Sequence, residues 1–241
     1  MDKWLVVSAV DPGTTNIAAW VGKFDQDGGK VCTLAMMHGI PEDKATDSKG
    51  KPKKKAVYAI TADCTELVAD ICERSNVSHV IVETAPQWNT PARISAAAAY
   101  GVFRGRKLPV SFSSPTTKAK AMLMFAEKLG ITSQLETVPP EWDRKDKTVS
   151  AKVRLINKRN AVRVVDALLK SSGDTKGMEA FNTNTQKHDM ADALLLACGG
   201  VMKKVRAVRK PKSDAPKRKR TKKISPSRKP DSDTEEEPFD S

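Results

Sequence analysis

Two short apolar runs, each ending on a carboxylate, constrain this chain more than any other feature. WLVVSAV (residues 4–10) stops at Asp11, and HVIV (79–82) stops at Glu83. Runs of this length, apolar and bounded by polar residues, read as buried strands. After the turn at Asp11-Pro12-Gly13, Asn16–Phe24 is predicted as a second strand and Val31–Met37 as a third. The Asp25-Gln26-Asp27-Gly28-Gly29 segment between them has hairpin-turn chemistry. Residues 38–55 read as a loop with six lysines, broken by Gly39, Pro41, Gly50 and Pro52. Helical apolar spacing then predicts a helix over 56–74, followed by the strand ending at Glu83, an alanine-rich helix over 92–104 and a fifth strand over 109–112. Further helices are predicted at 116–129, 151–170 and 187–204, with a polar loop at 131–149. Three antiparallel-type strands followed by alternating helix and strand imply an α/β layer fold with a mixed sheet.

The formal charge of +13 is unevenly placed. Val205–Pro230 carries 12 basic residues against Asp214 alone, whereas residues 231–241 hold six acidic residues and no basic one. Large apolar side chains are almost absent there, so burial cannot offset the entropy of ordering the segment. The predicted division is a folded domain at 1–204 and a disordered tail, basic then acidic, at 205–241. The body still carries 30 basic and 22 acidic side chains. A surplus of that sign predicts a polyanionic partner, nucleic acid before anionic membrane. No apolar run approaches the roughly 18 residues of a membrane helix. The first residues hold too short an apolar stretch for a secretory signal. An intracellular, soluble protein is therefore expected. Cys32, Cys64, Cys72 and Cys198 have no CxxC spacing, and with three histidines in the chain free thiols are expected rather than a zinc cage.

Four carboxylates stand out by position. Asp11 and Glu83 end buried strands, and strand ends on one edge of a sheet lie close together. Asp189 and Asp192, spaced i, i+3 near the start of a helix, share one face. Gathered at one edge, four such acids repel one another unless a cation is present, and hard oxygen ligands select Mg²⁺ or Mn²⁺. Each acid also has an ordinary reading. Asp11 can be a turn residue, Glu83 a surface residue after a strand, and Asp189 and Asp192 helix-start acids that complement the dipole. Asp192, however, lies in the apolar stretch MADALLLA, where solvation does not explain an acid.

VSAVDPGTTN, HVIVETAPQ and HDMADALLLA, in that order, resemble the RuvC-like Holliday-junction resolvases of the RNase H-like superfamily. The likeness is to the branch shared by poxvirus-type viral and mitochondrial enzymes, and it spans roughly residues 4–204. It implies an RNase H-like fold: α/β, with a five-stranded mixed sheet flanked by helices. It also implies a metal-dependent endonuclease that resolves four-way DNA junctions by paired symmetric nicks, leaving 5′-phosphate and 3′-hydroxyl ends. Such an enzyme serves DNA recombination or the resolution of replicated viral genomes. On this resemblance Asp11, Glu83, Asp189 and Asp192 map onto the metal-binding acids, with two Mg²⁺ ions per site and Mn²⁺ as a substitute. Ser114-Pro115 with Lys118 is similar to the family's Ser-Pro and active-site lysine. The spacing here is S-P-x-x-K where the bacterial pattern is nearer S-P-x-x-x-K, so Lys120 is a second candidate. His188 reads as a helix N-terminal surface residue, or by resemblance as an active-site neighbour.

Candidate phosphate contacts are Lys51, Lys53, Lys54 and Lys55 in the loop, Lys120, and Lys152, Arg154, Lys158, Arg159 and Arg163 on the basic helix. A solvated charged face is the alternative for the helix residues. Two symmetric cuts call for a two-fold homodimer, and the helix ARISAAAAYGVFRGR, rich in small residues, suits the contact. The same small residues equally allow that helix to pack on its own sheet. Trp88 and Tyr100 read as core aromatics, with stacking at a junction as the alternative. KRKRTKK in the tail fits recognition by the import machinery or a DNA-binding arm. It serves either a host nucleus or a cytoplasmic viral replication factory, the viral context being what the resemblance implies. Two other classes compete: a non-enzymatic basic DNA-binding protein, and an actin-like or sugar-kinase-type ATPase suggested by DPGTTN. The second requires a further glycine-rich phosphate loop, which the chain lacks.

Overall fold

The computed structural model describes residues 4–13, 17–25, 29–39, 57–87, 89–143 and 145–209. Within them five strands form one sheet in the order β3-β2-β1-β4-β5. These are β1 (Trp4–Pro12), β2 (Ile17–Asp25), β3 (Val31–Gly39), β4 (His79–Glu83) and β5 (Val110–Ser113). β1, β2 and β3 pair antiparallel, with a bulge in β2 between Val21 and Gly22. β4 and β5 add to the other side of β1 in parallel. β1 is central and covered on both faces, which is why its sequence is apolar almost without alternation.

Helices α1 (Val57–Arg74) and α2 (Thr90–Gly105) cover one face, closing over Val10, Val21 and Val82 with Phe103 of α2. Arg106, just beyond α2, ties the two helices together. Its guanidinium lies 2.8 Å from Glu66, 2.7 Å from Asp70 and 3.1 Å from Glu73, all on α1. The other face carries α3 (Pro115–Lys128), α4 (Lys147–Ser172) and α6 (Lys187–Arg209) over Ala9, Trp20, Phe24 and Ile81. From Met190 to Val201 every residue of α6 is buried except Asp192. A helix apolar all round belongs inside, and α6 lies between the sheet and its two companions. None of the helices is long and apolar enough to cross a membrane among the described residues.

Three differences from the sequence reading stand out, and the first two have clear causes. A further helix, α5 (Thr175–Thr183), occupies a stretch in which no helix is predicted. Gly177 is there for packing. A Cβ on it would lie 2.6 Å from Asp174 Oδ2 and 2.6 Å from Thr33 Oγ1. Asp174 caps the helix by accepting from the Gly177 N–H at 3.0 Å and also accepts from the Thr33 N–H of β3 at 2.7 Å. α4 likewise starts before residue 151, since Asp146 accepts from the N–H groups of Thr148 and Val149 and caps it at Lys147. β3 runs two residues further than expected, through His38 and Gly39. Cys72 and Cys198 are buried free thiols, Cys64 is half-buried and Cys32 is exposed. The lysine-rich segment with Lys51, Lys53, Lys54 and Lys55 lies outside the described residues, as do Trp88 and the tail from residue 210 onward.

Candidate active site

The site forms at the edge of the sheet where parallel strands β1 and β4 end side by side. Their register, Val10 opposite Val82, brings Asp11 and Glu83 level at that edge. Both project to the α6 face, as do Ala9 and Ile81 two residues earlier. α6 starts over the same edge, with Asp189 in its first turn and Asp192 one turn on. α3 begins beside them. Ser114 caps it by accepting from the Thr116 N–H at 3.3 Å, Pro115 occupies its first position, and Ser113 Oγ hydrogen-bonds Thr117 Oγ1 at 2.8 Å. This places Lys118 in the first turn of α3, facing the acids.

Lys118 Nζ donates to three carboxylates from three elements. It lies 3.2 Å from Asp11 Oδ2, 2.9 Å from Glu83 Oε2 and 2.7 Å from Asp192 Oδ2. Asp189 is held differently, with His38 Nε2 at 3.3 Å from Oδ2 and His188 Nε2 at 3.2 Å from Oδ1. All four acids and Lys118 line one cleft of about 320 Å³, whose other wall includes Asn89, Arg154 and Lys158.

Electrostatics follow from burial and charge count. Burial, then the charge of Asp11, pushes the Glu83 carboxyl up to about 8, against the pull of Lys118. Burial also raises Asp192, opposed by Lys118 and reinforced by Asp11. For Lys118 burial alone would lower the ammonium, but the three carboxylates outweigh it and hold the charge well above the usual lysine range. One cation thus balances three acids incompletely, and burial together with the charge of Asp11 shifts Glu83 and Asp192 upward. Among the described residues no three His, Cys, Asp or Glu side chains are arranged as a ready metal cage. The donor set nevertheless suits a hard divalent ion, because three carboxylate oxygens converge on one point already taken by a cation.

The other named residues divide by location. Arg154 and Lys158 on α4 face the acids. Lys158 also borders a groove of about 700 Å³ shared with Leu155, Arg159, Arg163, Lys187 and His188. Arg159 and Arg163 are both engaged by Glu136, Arg159 Nε at 2.8 Å from its Oε1. Lys152 stacks its ammonium 5.6 Å from the Trp142 ring centre. Lys120 is exposed and borders a separate apolar groove with Leu123, Met124 and Met202, so Lys118 is the lysine that joins the acids. Tyr100 stacks on Phe112 at 4.6 Å. The small residues of α2 serve both faces: Ala92, Ser95, Ala96 and Ala99 are buried within the domain, while Ala97 and Gly101 face outward beside Ile94. His188 is not a plain surface residue, being half-buried against Asp189. His38 escaped the sequence reading because it sits where a loop was expected, and no local pattern marks it.

No family model matches the chain, and no curated protein matches it in sequence. Solved structures do match. RuvC of Thermus thermophilus, in complex with a Holliday junction substrate, aligns with a TM-score of 0.52 at 14% identity, over 84% of this chain and 96% of that one. The yeast mitochondrial Holliday junction resolvase Ydc2 aligns with a TM-score of 0.51, also at 14% identity, over 85% of this chain and 84% of that one. The likeness covers nearly the whole length of both proteins and is a likeness of fold: the chain has the RNase H-like architecture anticipated from its motifs.

Proposed function

We propose that this chain is a divalent-metal-dependent endonuclease that resolves four-way DNA junctions by paired symmetric nicks. The observation that carries the reading is the convergence of Asp11, Glu83 and Asp192 on one point, with Asp189 beside them, in a cleft whose far wall is basic. Carboxylates that close together are costly, and a binding protein with no chemistry to perform would gain nothing from them. The fold supports the junction-resolving class, since RuvC is seen with a Holliday junction substrate and Ydc2 is a Holliday junction resolvase.

Asp11, Glu83, Asp189 and Asp192 would hold Mg²⁺, or Mn²⁺ in its place, two ions per site. When bound, the metal supplies an activated water and neutralises charge on the scissile phosphate. The chain's own residues do the rest. Asp11 would share the donor set with Glu83 and Asp192, which converge with it on Lys118. Lys118, now paired with the carboxylates, would offset the charge that develops on a phosphate oxygen during cleavage. Arg154 and Lys158 hold the backbone against the opposite wall. Two such sites related by a two-fold axis match the symmetry of a four-way junction. The outward face of α2, with Ala97 and Gly101 flanked by Ile94, is the surface on which two copies would meet.

The deciding experiment incubates the unmodified protein and Asp192→Asn with labelled four-way junction, duplex, single strands and RNA–DNA hybrid, in Mg²⁺ and in Mn²⁺. Symmetric nicking of the junction that vanishes in the variant while binding persists is the expected result. Binding without cleavage in both metals would replace this reading with a non-enzymatic DNA-binding role. Cleavage of the hybrid alone would make the protein a ribonuclease H.

A further inference from the structure

The four acids of the cleft are not secured by the same partner. Lys118 pairs with Asp11, Glu83 and Asp192. Asp189 is bracketed instead by two imidazoles, one on each carboxylate oxygen. His188 is its chain neighbour and is 29% exposed in its side chain. His38 comes from the far strand of the sheet, and its side chain is only 5% exposed.

Sheet register sets the position of His38. Asp11 stands opposite Ala18 on β2, and Ala18 stands opposite His38 on β3. Directly opposed residues project to the same face, so Asp11, Ala18 and His38 form a row across three strands. The face is the one beneath α6, since Ala18 belongs to the core on that side. Ala18 carries only a methyl group, leaving the space above the middle of the row to the start of α6. Asp189 therefore meets the outer end of the row while Asp192 meets its inner end.

We propose that His38 is a positioning residue for Asp189: its Nε2–H donates to Oδ2 and fixes the orientation in which that carboxylate faces the cleft. The inference rests on reading Asp189 as one of the metal-holding acids. Its physical basis is that a carboxylate in the first turn of a helix, a quarter exposed, has several rotamers open to it. A ligand set assembles only if each member waits in the right one. Hydrogen-bond partners behind metal ligands do this work, and losing one costs about 10–100-fold in metal affinity or activity. A buried histidine serving only the core would lower stability when replaced but leave metal affinity untouched.

Two measurements on the full chain test it. The first is the ¹⁵N spectrum of the ring nitrogens in the unmodified protein, tractable because the chain has three histidines. A proton on His38 Nε2 is expected, and a neutral ring carrying its proton on Nδ1 would overturn the proposal. This needs no variant, so it decides even if a substitution fails to fold. The second is calorimetric titration of Mn²⁺ into the unmodified protein, His38→Leu and His38→Gln. Leucine should weaken binding by about 10–100-fold, and glutamine, whose amide N–H reaches a similar point, should recover most of it. Leucine binding Mn²⁺ as tightly as the unmodified protein would overturn the role of His38 alone. An unmodified protein that takes up no Mn²⁺ would instead overturn the metal-dependent reading on which this inference rests.

Discussion

Replacing Lys118 with methionine keeps an unbranched apolar stem, one atom shorter, and removes the charge from a point within 3.2 Å of three carboxylate oxygens. The groups are largely buried, with side chains from 9% to 23% exposed, so water screens them only in part. Removing one partner of a buried ion pair costs about 3–5 kcal/mol. Here the acids can respond by taking up protons, which recovers some of that loss wherever protons are plentiful. The sign of the pH dependence follows from Glu83. Its carboxyl sits at about 8 in the folded protein against 4.5 for an ordinary glutamate, so the folded state binds the extra proton and stability falls as pH rises between those values. Without Lys118 the downward pull on Glu83 disappears, and the loss extends to higher pH. Urea denaturation in chelator should therefore find the variant less stable by about 2–4 kcal/mol at the alkaline end. The gap should narrow as pH falls through Glu83's range toward its ordinary value. Mg²⁺ should restore the variant more than the unmodified protein, since the ion substitutes for the missing counter-charge. Equal stability of the two proteins under alkaline, metal-free conditions would refute the idea that Lys118 neutralises this cluster.

Two further outcomes follow from packing and surface charge. Changing both Arg154 and Lys158 to alanine should weaken junction binding across all sequences and reduce the slope of log affinity against log salt by roughly 0.9 per lost phosphate contact; an unchanged slope would place the DNA elsewhere. Gly199→Ala puts a methyl 2.8 Å from the Thr117 carbonyl oxygen, between α6 and the first turn of α3. Overpacking there should cost about 1–3 kcal/mol in denaturation experiments and displace Lys118. A neutral effect on both stability and cleavage would show that the two helices have room to separate.

What could be read from the sequence follows the range of the physics involved. Asp11 and Glu83 were visible because each ends a run that only a buried strand explains. Asp192 was visible because it interrupts an apolar helix, and in the folded chain it is the one residue between Met190 and Val201 that is not fully buried. These are local signals. The parallel pairing of β1 with β4, which sets Asp11 and Glu83 level, joins residues more than seventy positions apart, and the sequence hinted at it only through the shared end-on-a-carboxylate pattern. His38 had no signal at all: its importance comes from two successive registers, through Ala18, that no window of residues contains. α5 was hidden for the opposite reason. Gly177 looks like a helix breaker locally and is explained by Asp174, Thr33 and Leu169 crowding it in three dimensions. The lysine spacing was ambiguous in the sequence, and the geometry of α3 places Lys118 rather than Lys120 among the acids.

The contacts of Lys118 reach back 107 residues to Asp11 and 35 to Glu83, and forward 74 to Asp192. A ribosome releases these parts in order, strands first and α6 last. The emerging chain therefore carries two of the acids and their lysine long before it carries the other two. Over the 74 residues between Lys118 and Asp192 the lysine has only two of its three acids to offset, without a complete ligand set existing anywhere on the molecule. The full cluster is closed by the last helix of the domain. A truncated or stalled product that ends before it is left with one lysine against two acids, a smaller excess of negative charge than the finished protein carries.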